Sequence, residues 1–114
     1  MKKNYKIVVV GLGYVGLPLA ARFALKGFNV TGFDIKEERV NQLINKIDVN
    51  DDMSHENLEN LSKNAKLTTH VNDIKESNIF IVTVPTPINE DKTPNLAPLI
   101  SASELVGSVV KKIQ

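Results

Sequence analysis

Three glycines at the end of an apolar run constrain this chain more than any other feature. Lys6 to Val10 is a short, mostly β-branched stretch, and Gly11-Leu12-Gly13-Tyr14-Val15-Gly16 follows it directly. The run reads as a strand buried on both faces. Residues 14–26 read as a helix that is apolar on most sides, through Val15, Leu17, Leu19, Ala20, Ala21, Phe23, Ala24 and Leu25. Pro18 falls in its first turn, where proline is tolerated, and Gly27 stands at the usual stop position. A strand that turns through G-x-G-x-x-G into a helix predicts a dinucleotide-binding turn. Gly11 allows the tight exit from the strand, Gly13 leaves room for a pyrophosphate against the backbone, and Gly16 lets helix and strand pack closely. The free N–H groups and partial positive charge of the helix start then face the phosphates.

The rest of the chain alternates in the same way. Asn29 to Ile35 is a second strand, and Lys36 to about Ile47 carries Val40, Leu43, Ile44 and Ile47 at helical spacing. Asp48 to Asp52 is a polar loop. Ser54 caps a helix running to about Lys63, with Met53 and Leu58 placed as a hydrophobic staple. Lys66 to Thr69 is a short third strand, and Ile79 to Val84 is a fourth, strongly buried one. Pro85 to Asn95 is a proline-containing loop. A last helix starts near Leu96 with Asn95 as its cap, and its inner face is Leu99, Ala102, Val106, Val109, Val110 and Ile113. The expected fold is α/β: a Rossmann-type parallel sheet with helices on both faces and right-handed crossovers. The stop at Lys111-Lys112-Ile113-Gln114 reads as a cut after the helix that follows strand four, so residues 1–114 are expected to be one domain of a longer protein.

Asp34 ends the second strand, eighteen residues beyond Gly16. A carboxylate there accepts hydrogen bonds from the adenosine ribose hydroxyls and repels a 2′-phosphate, which favours NAD over NADP. Arg39 is able to accept a 2′-phosphate; with Asp34 present it is expected over the adenosine side. Pro85 and Pro87 fix the backbone around Thr86, holding its hydroxyl toward a cofactor at the carboxyl end of the fourth strand.

Composition removes several alternatives. With 14 basic and 13 acidic residues the net charge is +1, so no electrostatic footprint for nucleic acid or anionic lipid is present. The absence of cysteine excludes a disulfide scaffold, a zinc-thiolate site and a cysteine nucleophile within these residues. No stretch approaches the roughly 20 apolar residues of a membrane span, and the chain is expected in the cytoplasm. His55 and His70 lack a metal-like spacing and read as surface residues. Asp48, Asp51, Asp52, Glu56 and Glu59 read as a solvated acidic patch, so neither a metal nor a catalytic residue is expected here.

Four blocks in order resemble one family: residues 11–20 (GLGYVGLPLA), 32–35 (GFDI), 84–88 (VPTPI) and 93–99 (TPNLAPL). They are similar to the N-terminal NAD-binding domain of bacterial nucleotide-sugar 6-dehydrogenases, the UDP-glucose/GDP-mannose dehydrogenase family. The Val-Pro-Thr-Pro-Ile form, with Asp48-Val49-Asn50 upstream, looks most like the UDP-N-acetylhexosamine branch, which makes uronic acids for capsule or O-antigen polysaccharide. The resemblance implies a four-electron oxidation of the sugar C6 alcohol to the carboxylate through a cysteine thioester, consuming two NAD. It matches Val15, Asp34, Arg39 and Thr86 to cofactor contacts and the glycine loop, Tyr14 included, to the pyrophosphate site. Ile35 and Pro85 complete the expected contact set. The family's catalytic cysteine, lysine and asparagine fall downstream, so the fragment alone is expected to be inactive. The whole enzyme is expected to take a nucleotide sugar and to form a homodimer or higher oligomer.

Three other readings stay open on the sequence. The substrate branch is alternatively UDP-glucose or GDP-mannose. A non-enzymatic NAD-sensing module uses the same half-fold but lacks the Pro-Thr-Pro loop. An FAD enzyme shares the first motif but usually places glutamate at the end of the second strand.

Overall fold

The computed structural model describes residues 5–45, 58–59, 61 and 64–110. Four strands, β1 (Lys6–Val10), β2 (Asn29–Phe33), β3 (Ala65–Thr68) and β4 (Ile79–Val82), form one sheet in the order β3-β2-β1-β4. Every pairing is parallel. The helices are α1 (Gly16–Leu25), α2 (Glu37–Ile44) and α3 (Ala97–Val109), and a 3-10 turn spans Val71–Ile74. This is the Rossmann-type arrangement: the chain starts on an inner strand, builds outward through β2 and β3, then crosses back to place β4 on the other side of β1.

β1 is apolar on both faces because each face meets a different core. Ile7 and Val9 pack with Leu17, Ala20 and Ala24 of α1 and with Leu43 of α2. Val8 and Val10 pack with Phe33, Ile74, and Ala102 and Val109 of α3. Leu58 and Leu61, both helical, are buried in the first of these cores. Leu17 is fully enclosed, so trimming it to alanine would cost about 2–5 kcal/mol.

Several boundaries differ from expectation, each for a local reason. α1 begins at Gly16 rather than residue 14, because the first loop-to-helix bond runs from Leu17 N–H to the Gly13 carbonyl. β2 stops at Phe33 because the Asp34 carboxylate accepts the Lys36 N–H at 2.9 Å, turning the chain toward α2 and taking Ile35 out of the sheet. β3 sits one residue earlier than expected. β4 ends at Val82 and is half-buried along its whole length rather than strongly buried. It is an edge strand, with β1 as its one neighbour in the described sheet.

The inner face of α3 is also corrected. Ala102 and Val109 are buried, and Leu105 and Val106 pack beside them. Leu99 and Val110 are exposed. The cleft-facing side of α3 is Pro98, Ser101, Ala102 and Leu105, and Leu99 lies about 100° round from Pro98. At Val110 the backbone has already become extended. The cap position is Leu96, one residue later than expected, and carries no side-chain cap bond; Asn95 just before it accepts the Ala97 N–H at 3.0 Å. The expectations for Ile47, the loop at 48–52, Met53, Ser54, His55, Glu56 and residues 111–114 lie outside the described residues.

Candidate functional site

Parallel strands carry all their carboxyl ends to one edge of the sheet. There the exits of β1, β2 and β4 and the start of α3 enclose a cleft of about 1100 Å³. Its floor is the glycine loop, and hydrogen bonds hold that loop from several sides. Gly11 N–H donates to the Phe33 carbonyl at 2.7 Å. Leu12 N–H donates to Asp34 Oδ2 at 2.9 Å, and the Leu12 carbonyl accepts from Arg39 Nε at 2.9 Å. The Leu12 side chain is fully buried. Behind the loop, the Thr83 hydroxyl donates to the Gly11 carbonyl at 2.8 Å.

The glycines are required for different reasons. Gly11 has φ +100°, and a Cβ there would touch the Thr83 carbonyl at 3.0 Å. A Cβ on Gly16 would land on the Gly11 carbonyl and the Thr83 hydroxyl. Gly13 is different: its φ is not positive, and a Cβ would meet nothing within 4 Å. The protein fold itself therefore leaves an open space at Gly13. Beside it, α1 starts with no side-chain cap and no acidic residue in its first turn, leaving its first N–H groups and partial positive charge for an anion.

Of the expected contact residues, Gly11, Gly13, Asp34, Ile35, Arg39 and Pro85 line this one cleft. Tyr14 and Val15 are exposed in the turn before α1, Gly16 is buried at its first position, and Thr86 is exposed in the loop after β4. None of these four belongs to the cleft wall. Asp34 is half-buried with both oxygens taking backbone N–H groups, so it is tied to the loop as well as presented to the cleft. Arg39 is nine-tenths buried.

Sequence reasoning missed Thr83 and the α3 wall. The signal for Thr83 was a hydroxyl in an otherwise apolar Ile-Phe-Ile-Val-Thr-Val run. The signal for the α3 wall was the pair of small residues Ser101 and Ala102, which line the cleft. Two more clusters brace the surroundings. The Thr68 hydroxyl donates to Asp73 Oδ2 at 2.5 Å, and Lys66 Nζ pairs with Oδ1 at 3.0 Å. The Thr68 hydroxyl first, and Lys66 second, hold the Asp73 carboxyl below the usual aspartate range. In the loop after β4 the Thr93 hydroxyl and N–H do the same for Asp91. Among the described residues no three His, Cys, Asp or Glu side chains gather as a metal site. No described helix is long and apolar enough to cross a membrane.

Comparison with known proteins decides the family. The sequence profile described as "UDP-glucose/GDP-mannose dehydrogenase family, NAD binding domain" matches residues 5–114. The chain belongs to this family. Its NAD-binding domain is 49% identical over 107 residues to the UDP-N-acetyl-D-glucosamine 6-dehydrogenase of Salmonella typhi, covering 94% of this chain and 25% of that protein. It is 44% identical to Protein CapL of Staphylococcus aureus, with 94% and 24% covered. Among solved structures, the UDP-N-acetyl-mannosamine dehydrogenase Cap5O from S. aureus superposes with a TM-score of 0.80 at 32% identity, covering 93% of this chain and 26% of that one. The chain thus spans about a quarter of the length of these relatives. The residues present fit the family's cofactor, NAD: the space at Gly13, the uncapped start of α1 and the Asp34 carboxylate supply what a diphosphate and a ribose diol need.

Proposed function

We propose that the protein to which this domain belongs is an NAD-dependent UDP-N-acetylhexosamine 6-dehydrogenase, and that residues 1–114 are its cofactor domain. The observation that carries the cofactor half is the open space at Gly13 beside an uncapped helix start, in one cleft with Asp34. The α1 N-terminus and Gly13 would take the pyrophosphate, with Gly11, Tyr14, Val15 and Gly16 shaping the turn. Asp34 would accept the ribose hydroxyls, Ile35 and Arg39 would flank the adenosine, and Pro85 and Thr86 would border the far end. Held there, NAD would supply the hydride acceptor for oxidation at the sugar C6.

The substrate half rests on similarity. Relatives 47–49% identical over this domain carry the name UDP-N-acetyl-D-glucosamine 6-dehydrogenase. The chain has no cysteine, so the thiol implied for the thioester step must come from outside these residues. The missing thiol supports an inactive fragment; the complete enzyme is proposed to work in the cytoplasm, as an oligomer, on precursors of surface polysaccharide.

The product of the natural reading frame tests the reading. Calorimetric titration should show NAD binding more tightly than NADP. UDP-N-acetylglucosamine should yield about two NADH per sugar. Equal or tighter NADP binding would overturn the role of Asp34, and oxidation of UDP-glucose alone would overturn the substrate assignment.

A further inference from the structure

We propose that Thr83 is a positioning residue for the cofactor: its hydroxyl bolts the glycine loop to the end of β4 and sets the aim of the α1 N-terminus. The proposal rests on the reading that NAD occupies the cleft beside Gly13.

A hydroxyl has one proton to give. Two carbonyls lie within reach of Thr83 Oγ1, Gly11 at 2.8 Å and Val10 at 3.2 Å. The Val10 carbonyl already accepts the Thr83 N–H at 2.8 Å. Gly11 is therefore the carbonyl that depends on the hydroxyl, and Gly11 is buried. That same carbonyl is the surface against which Gly16 packs, with the Thr83 hydroxyl beside it. Hydroxyl, carbonyl and first helical residue thus meet at one place. A carbonyl that loses its donor turns to find another, and the first turn of α1 moves with it. The N–H groups that would meet the pyrophosphate belong to this turn. Because Val84 and Pro85 follow immediately and line the cleft, the same bond sets the spacing between its two walls. Valine has the same branched shape and would fill the strand position equally well, so the hydroxyl is what the position adds.

The test uses the product of the natural reading frame with Thr83→Val, which keeps the shape, and Thr83→Ser, which keeps the donor. NAD affinity is measured by calorimetry, and amide hydrogen exchange is followed by mass spectrometry. Thr83→Val should bind NAD about tenfold more weakly, the scale of one buried acceptor left without its donor. Thr83→Ser should stay within about threefold of the parent. In Thr83→Val, exchange should rise at residues 12–17 and stay unchanged in β1 and β2. If Thr83→Val does not fold, Thr83→Ala replaces it against Thr83→Ser with the same expectations. Failure of the parent protein to bind NAD would refute the cofactor reading itself. A parent that binds, with Thr83→Val binding equally well, would overturn the role of Thr83. So would a serine variant as weak as valine, or exchange raised evenly across the sheet, since either would reduce Thr83 to a packing residue.

Discussion

Gly13 and Gly16 stand three residues apart in one motif, yet alanine at each should fail in opposite ways. At Gly16 the new methyl would occupy the position of the Gly11 carbonyl oxygen, with the carbonyl carbon 2.9 Å away. Neither atom is the end of a flexible side chain, so α1 must withdraw from the sheet. Leu17, Ala20 and Ala24 lose their fit as it does. Overpacking typically costs 1–3 kcal/mol, and a backbone clash belongs at the top, about 3 kcal/mol. For a domain of this size that is a fall in Tm on the order of 12–24 °C. At Gly13 the methyl enters open space at an ordinary φ. The loss of chain freedom in the unfolded state then leaves stability unchanged or raises it by about 0.4–1 kcal/mol. On the proposed function the pyrophosphate would approach where the same methyl sits, so NAD binding should weaken by about tenfold or more, as it does when one good contact worth about 1.4 kcal/mol is lost. Thermal unfolding and calorimetric titration of both variants make the comparison. Gly13→Ala binding NAD like the parent, or Gly16→Ala melting within two degrees of it, would refute the reasoning.

Other variants probe the supports of the site. Asp34→Ala removes the acceptor for the Leu12 and Lys36 N–H groups; it should lower stability by about 1–3 kcal/mol, weaken NAD and narrow the gap to NADP, read by denaturant titration and calorimetry. Arg39→Met withdraws the donor to the Leu12 carbonyl and should weaken NAD and NADP alike, whereas loss of an arginine serving a 2′-phosphate would weaken NADP alone. The Asp73 carboxyl titrates lower in the folded protein than the unfolded value of about 3.9, held down by Thr68 and then Lys66. Its contribution is therefore complete above that value and lost as pH falls through the lower folded one. Asp73→Asn should flatten the stability profile below about pH 4 and leave the slope near neutrality unchanged, as followed by urea unfolding at a series of pH values.

The parts of this fold that were readable from sequence are those written by short-range rules. Strand β1 announced itself by four successive aliphatic residues, α1 by its apolar sides and Gly27, which does adopt φ +86° at the helix exit. The order of elements then left few topologies, and the parallel sheet followed. What was not readable depends on neighbours far along the chain. Half-burial of β4 comes from its edge position, which its Ile-Phe-Ile-Val sequence does not encode. The face of α3 is chosen by the cleft, so Leu99, apolar and in plausible register, points away while Leu105 turns in. Asp34 was legible as the acid that closes the second strand but not as the partner of Leu12, a contact across 22 residues. Thr83 reaches back 72 residues to Gly11, and no local pattern carries that.

The pairing of β1 with β4 also shapes how the molecule is made. Val8 and its neighbours wait for partners at Phe80 that lie 72 residues later in the chain. At synthesis rates of about 5–20 residues per second, that interval is roughly 4–14 s. Once β2 has followed, 23 residues after β1, it is able to dock on one side of β1, while the other side presents aliphatic side chains and unpaired backbone groups to the crowded space around the ribosome exit. The nascent chain is thus most exposed to capture by chaperones, or to pairing with a neighbouring nascent copy, in this window. Arrival of β4 closes it, and slow translation between Ala65 and Ile79 would lengthen it.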